Sequence, residues 1–153
     1  MAVDGESLEE GAVLIVDDQA AAREILTRKL SRESIRTVTA DSGRECLKIV
    51  RSAEHVDVIL LDVSMPEMDG IEVCRELAKE DRTRSIPVIL LTALDDHDYQ
   101  IRFQGMNLGV SEFMTKPVNW KELFTRVRGH LRSRALARQI DQTLAGLPER
   151  GGE

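Results

Sequence analysis

Short, continuously apolar runs alternate along this chain with stretches in which apolar residues recur every three or four positions. Val13-Leu14-Ile15-Val16, the β-branched and aliphatic run Val56 to Leu61, and Pro87 to Thr92 are each too short for a helix of ordinary length. Such runs fit strands buried on both faces of a parallel sheet. Ile35 to Ala40 and the brief Phe113-Met114-Thr115 add two β-rich segments. Between them lie helical patterns. Ala22, Ile25, Leu26 and Leu30 keep helical spacing, with Asp18 as the expected cap. Ser42-Gly43-Arg44-Glu45 reads as a capping box ahead of Cys46, Leu47, Ile49 and Val50. Ile71, Cys74, Leu77 and Ala78 give the third helix an inward face, and Asp81 to Ser85 reads as a polar connection. A weaker helix is expected over roughly 98–108, where Gly105 costs about 1 kcal/mol relative to Ala. Asn119 and Glu122 then open a helix with the stripe Leu123, Phe124, Val127 and Leu131. That pattern continues through Leu136, Ile140, Leu144 and Leu147, to be stopped by Pro148 and Gly151-Gly152.

Five strands alternating with five helices imply parallel strands, right-handed crossovers and helices on both faces. The expected fold is α/β, a flavodoxin-like doubly wound (βα)5 domain. Its five-stranded parallel sheet should have the order 2-1-3-4-5, with an extended C-terminal helix. Residues 1–10, with Asp4, Glu6, Glu9 and Glu10, read as a flexible acidic lead-in, 11–133 as the domain, and 134–153 as a helical tail or linker stub.

Composition narrows the function classes. The 153 residues suit one domain, and 27 acidic against 21 basic residues give a net charge of -6, which disfavours direct nucleic-acid binding. Arg126, Arg128, Arg132, Arg134 and Arg138 spread around a helix without interleaved aromatics, so they read as a solvated face. His55, His97 and His130 show no ligand spacing and read as solvated, while Trp120 suits the sheet edge or an interface. No apolar run approaches the ~20 residues of a membrane span, and the N-terminus lacks a secretory pattern. With Cys46 and Cys74 read as buried thiols, the expectation is a cytoplasmic protein with no membrane partner.

Polar residues close four of the five strands: Asp17-Asp18, Asp62, Thr92 and Lys116. The strand without one, Ile35 to Ala40, is the edge strand of the 2-1-3-4-5 order, away from the switch point where such sheets bind ligands. An isolated Asp62 would pass for a cap or turn residue, Thr92 for a strand residue and Phe113 for a core aromatic. Together the acids imply a cation, since converging carboxylates repel one another. Mg2+ fits, because it accepts one or two protein carboxylates and keeps several waters. Asp62 is then a nucleophile able to form an acyl phosphate, with Asp17, Asp18 and the backbone carbonyl of Ser64 as further metal ligands. Lys116 supplies a point charge and Thr92 a hydroxyl for phosphoryl oxygens.

These residues resemble the receiver domain of bacterial two-component response regulators. The resemblance rests on Val13-Leu14-Ile15-Val16-Asp17-Asp18, on Leu60-Leu61-Asp62-Val63-Ser64-Met65-Pro66 with Met68-Asp69-Gly70, on Leu91-Thr92-Ala93, and on Phe113-Met114-Thr115-Lys116-Pro117. It covers about residues 11 to 133. It implies that Asp62 is the phosphoacceptor, served by a histidine kinase or histidine phosphotransfer protein with Mg2+. By the same resemblance Asp17 and Asp18 are the acidic metal pair, Thr92 and Lys116 the phosphate-sensing pair, and Phe113 the switch aromatic. A cis Lys116–Pro117 bond is implied too. Phosphorylation would repack the face built from the fourth helix, fifth strand and fifth helix. That face would control a downstream protein or fused output domain, and a homodimer through it is a further expectation. No enzyme activity beyond self-phosphorylation and self-dephosphorylation is implied. Ser64 and Leu94 depart from the common family pattern beside the phosphoryl position, and Gly105 and Val110 depart from it around the fourth helix. The alternative is a receiver-fold docking module that works without phosphorylation. More distant rivals are a phosphatase with an aspartyl-phosphate intermediate and a flavin carrier. The chain is either a stand-alone regulator or a fragment cut at a helical linker.

Overall fold

The structure, a computed structural model, describes residues 11–52, 55–93 and 112–147. The acidic lead-in, His97, Leu94, the helix expected over 98–108 with Gly105, Val110, and the stop at 148–153 lie outside the described residues.

The described elements are β1 (Val13–Val16), α1 (Ala20–Arg32), β2 (Thr37–Ala40), α2 (Gly43–Arg51), β3 (Val58–Asp62), α3 (Gly70–Ala78), one-turn α4 (Asp81–Arg84), β4 (Val88–Ala93), β5 (Glu112–Lys116) and α5 (Trp120–Ala145). The five strands pair in parallel in the order β2-β1-β3-β4-β5, as expected.

Unbroken apolar strands arise here because both faces of the sheet are covered, so both alternating sets of side chains are buried. Leu14, Val16, Ile59, Leu61, Val88 and Leu90 point to one side, where they meet Cys46, Leu47 and Val50 of α2 and Val73, Cys74 and Leu77 of α3. Val13, Ile15, Val58, Leu60, Ile89 and Leu91 point to the other, against Leu26 and Leu30 of α1 and Leu123, Val127 and Leu131 of α5. Both cysteines are free and buried, and burial pushes each thiol up to about 12.

Several local expectations change. Gln19, not Asp18, occupies the N-cap of α1, and Asp17 Oδ1 accepts the Gln19 N–H at 2.9 Å. The connection after α3 closes into the turn of α4, because Thr83 is buried and donates its hydroxyl to the Leu77 carbonyl at 2.7 Å. The arginine run of α5 is largely paired rather than solvated. Arg126 meets Glu112 and Glu122, Arg128 meets Glu33, and Arg134 and Arg138 meet Asp57. Only Arg132 is an exposed member of the set with no ion pair among the described residues. His130 is likewise within hydrogen-bond distance of Glu112, at 3.1 Å. Trp120 lies half-buried against the α1–α5 side of the core, stacked on Phe124 with Lys29 over its ring. No helix among the described residues is long and apolar enough to cross a membrane.

Candidate functional site

In this strand order the connections of β1 and β3 leave toward opposite halves of the sheet, which opens a crevice at their carboxyl ends. The register sets what stands there. Val16 lies opposite Leu61, and Asp62 lies opposite Leu91, so Asp17 and Asp62 emerge at one level. Across β4, Ala93 pairs with Lys116, which brings the lysine to the same edge.

The crevice is tightly held beneath Asp62. Val63 N donates to the Leu91 carbonyl at 3.1 Å, and Gly70 N returns to the Val63 carbonyl at 2.9 Å. At Gly70 a Cβ would fall 3.0 Å from Val63 Cα and 3.1 Å from the Asp62 carbonyl oxygen, so any side chain here would push α3 and β3 apart by a few tenths of an ångström. Asp69 and Glu72 form a reciprocal capping box at the start of α3, with bonds of 2.9 and 3.0 Å. The spacing of Asp69 and Glu72 is the same signal that marks Ser42 and Glu45, and it was masked by the turn dipeptide. The Asp69-Gly70 pair reads as a turn, and it serves both roles.

Asp17, Asp18 and Asp62 each offer a carboxylate oxygen, and these oxygens lie within 4.8 Å of one another. Asp17 and Asp62 are buried, and Asp18 is exposed. Arg23, which carried no signal in the sequence, donates to the Asp17 backbone carbonyl at 2.7 Å and fixes that turn. Lys116 Nζ donates to Asp62 Oδ1 at 2.9 Å and lies 3.8 Å from Asp17 Oδ2. Burial pushes the Asp62 carboxyl above the ordinary carboxylate range; Lys116 pulls it down, and Asp17 and Asp18 push it up again. Among the described residues one lysine faces three acids here. The uncompensated charge and the all-oxygen donor set suit a hard divalent cation.

The other expected residues sit around this group. Thr92 is buried near the end of β4, with its hydroxyl donating to the Ala93 carbonyl at 3.2 Å. Phe113 is half-buried in β5 and packs against the core on the α2–α3 side. Leu90 is its register partner and Thr92 pairs with Thr115, so Thr92 and Phe113 are diagonal neighbours on adjacent strands. Ser64 is exposed in the loop after β3, and the Lys116–Pro117 bond is cis.

Residues 13–128 match the model of the response regulator receiver domain. The chain is 43% identical over 120 residues to “Probable transcriptional regulator ycf27” of Cyanophora paradoxa, covering 78% of this chain and 48% of that one. It is 42% identical over 130 residues to the response regulator PleD of Caulobacter vibrioides, covering 85% of this chain and 28% of that one. The chain therefore spans about half the length of the first relative and less than a third of the second. Among solved structures, the signal receiver domain of a signal transduction histidine kinase from Syntrophus aciditrophicus superposes with a TM-score of 0.73. Its identity is 36%, and the match covers 80% of this chain and 91% of that one.

Proposed function

Because the chain belongs to the response regulator receiver family, we propose that it is a phosphorylation-activated signalling switch whose phosphoacceptor is Asp62. The observation that carries this reading is the meeting of Asp62, Asp17, Asp18 and Lys116 at the carboxyl edge of the sheet.

The donor is a phosphohistidine on a histidine kinase or a histidine phosphotransfer protein. An Asp62 carboxylate oxygen attacks phosphorus in line. The P–N bond breaks, and the imidazole nitrogen leaves with the electron pair and takes up a proton. Asp17, Asp18, Asp62 and the Ser64 carbonyl would hold Mg2+, which when bound neutralises charge on the phosphoryl oxygens. Lys116, already donating to Asp62, passes its hydrogen bond to a phosphoryl oxygen. The Thr92 hydroxyl turns from the Ala93 carbonyl toward another phosphoryl oxygen. That turn vacates space on the face shared with Phe113, whose ring moves inward to fill it. The consequence is a repacked surface along β5 and α5, with the helix expected over 98–108, that engages a downstream protein or output domain or pairs with a second copy. Phosphorylation shifts this equilibrium only by its differential interaction with the two states; moving 1:99 to 99:1 takes about 5.5 kcal/mol. The setting is cytoplasmic.

Intact mass after incubation with acetyl phosphate and Mg2+ tests the assignment. Wild type is expected to gain one phosphoryl group, and Asp62→Ala none. Gain by Asp62→Ala would move the acceptor elsewhere. Absence of gain in wild type, with partner binding equal in both proteins, would make the chain a phosphorylation-independent docking module.

A further inference from the structure

α5 continues past residue 128, where the family match ends, and past Leu131, the last buried residue of its stripe. Beyond that point none of its apolar residues is buried among the described residues. Leu136, Ile140 and Leu144 are 57%, 51% and 60% exposed. A helix that leaves the core in this way would ordinarily be free to swing, yet a buried charge lies beneath it.

Asp57 immediately precedes β3, at the amino edge of the sheet and opposite the Asp62 edge. It is fully buried, and its backbone N–H donates to the Ala12 carbonyl at 2.9 Å. Gly11 covers the carboxylate so closely that a Cβ there would stand 1.8 Å from Asp57 Oδ2. A carboxylate without water needs cationic partners, and both come from the helical extension. Arg138 Nη1 donates to both Asp57 oxygens at 2.8 Å, and Arg134 Nε lies 3.5 Å from Oδ1. Arg134 Nη1 also donates to the Ser85 carbonyl at 3.2 Å and hydroxyl at 3.3 Å, tying in the approach to β4.

We propose that Asp57, Arg134 and Arg138 form a latch that holds the helix beyond residue 133 to the amino edge of the sheet. Residues 134–145 then leave the domain as a lever of set direction rather than as a swinging linker. β3 joins the two ends of this device, with Asp62 at one end and the latch at the other. The latch is built to release. Arg138 uses one nitrogen on both oxygens, while its Nε and Nη2 are buried without a hydrogen-bond partner among the described residues. Opening the latch would give those donors water, which offsets part of the lost ion pair.

Hydrogen exchange of the full chain, without phosphodonor, tests this independently of the phosphoryl chemistry. Asp57→Asn and Arg138→Met are each expected to speed exchange of amides 136–145 by about tenfold or more, with β1 and β3 still protected. Arg132→Met, at an exposed position, is the control and should leave exchange unchanged. Spin labels at Ser31→Cys and Gln142→Cys should give a narrow distance distribution that broadens in both latch variants. Arg138→Met removes no core residue, so it decides the matter if Asp57→Asn fails to fold. Unchanged exchange and distances in Arg138→Met, equally faster exchange throughout β1 and β3, or the same acceleration in Arg132→Met would each overturn the latch.

Discussion

At Asp62 the burial that suits a carboxylate to a phosphoryl site works against the fold. Its carboxyl is raised, first by burial and then by Asp17 and Asp18, beyond what Lys116 lowers. With the folded value above the unfolded one, the folded state binds the proton more readily. The associated stability is therefore fully present below the unfolded pKa and is lost as pH rises through the folded one. Melting curves in chelator across the acidic to neutral range should show Asp62→Asn a few degrees more stable than wild type at neutral pH, with the gap closing as pH falls; equal pH slopes would refute this. Lys116→Met should destabilise the neutral-pH protein, and Asp62→Asn in the same chain should cancel most of that loss, because the two side chains share one hydrogen bond. The acids and the lysine were legible in the sequence because each ends an apolar run. Asp57 was not. It lies within a run dominated by aliphatic residues, and its partner Arg138 is 81 positions away with no periodic link to it.

Helix ends show which local signals carry weight. Ser42 caps α2 by accepting the Glu45 N–H at 3.1 Å, and Asn119 caps α5 by accepting that of Glu122 at 3.0 Å, as their spacing indicates. Glu45 reaches one residue further back than a capping box requires, to Asp41 N at 2.8 Å, and Glu122 turns to Arg126 instead. At α1 the expectation failed because Asp18 faces the acidic crevice while the chain turns into the helix one residue later. Asp69→Ala should cost roughly 0.5–2 kcal/mol in urea denaturation, since both bonds of its box are formed. Gly129 gives a prediction of opposite sign. It lies inside α5, and a Cβ there would meet nothing within 4 Å among the described residues. Gly129→Ala should therefore stabilise the protein by about 0.5–1 kcal/mol, and a lower denaturation midpoint would show that the open space is needed. The pairing of the α5 arginines escaped sequence reading for a plain reason: Glu33, Asp57 and Glu112 reach them only through the tertiary fold.

For the molecule as a whole, strand order and two-sided burial were readable because uniform strands and amphipathic helices leave one economical way to cover the sheet. The same sheet ties the acidic crevice to global stability, since Asp17 and Asp62 follow or end the two strands that the other three flank. A cation held there binds the folded chain and finds no such cluster in the unfolded one. Occupancy must then raise the unfolding free energy by RT ln(1 + [L]/Kd), about 2.7 kcal/mol at one hundred times Kd. For a chain of this size each kcal/mol corresponds to roughly 2–4 °C, so Mg2+ titration should raise the melting temperature by several degrees and chelator should reverse it. The rise should shrink in Asp17→Asn and in Asp62→Asn, which each remove one carboxylate charge. It should also flatten the wild-type pH slope, because a cation among the three acids removes the repulsion that raises Asp62. A Mg2+-induced rise of equal size in all three proteins would mean that the ion acts elsewhere and that the three carboxylates do not form a metal site.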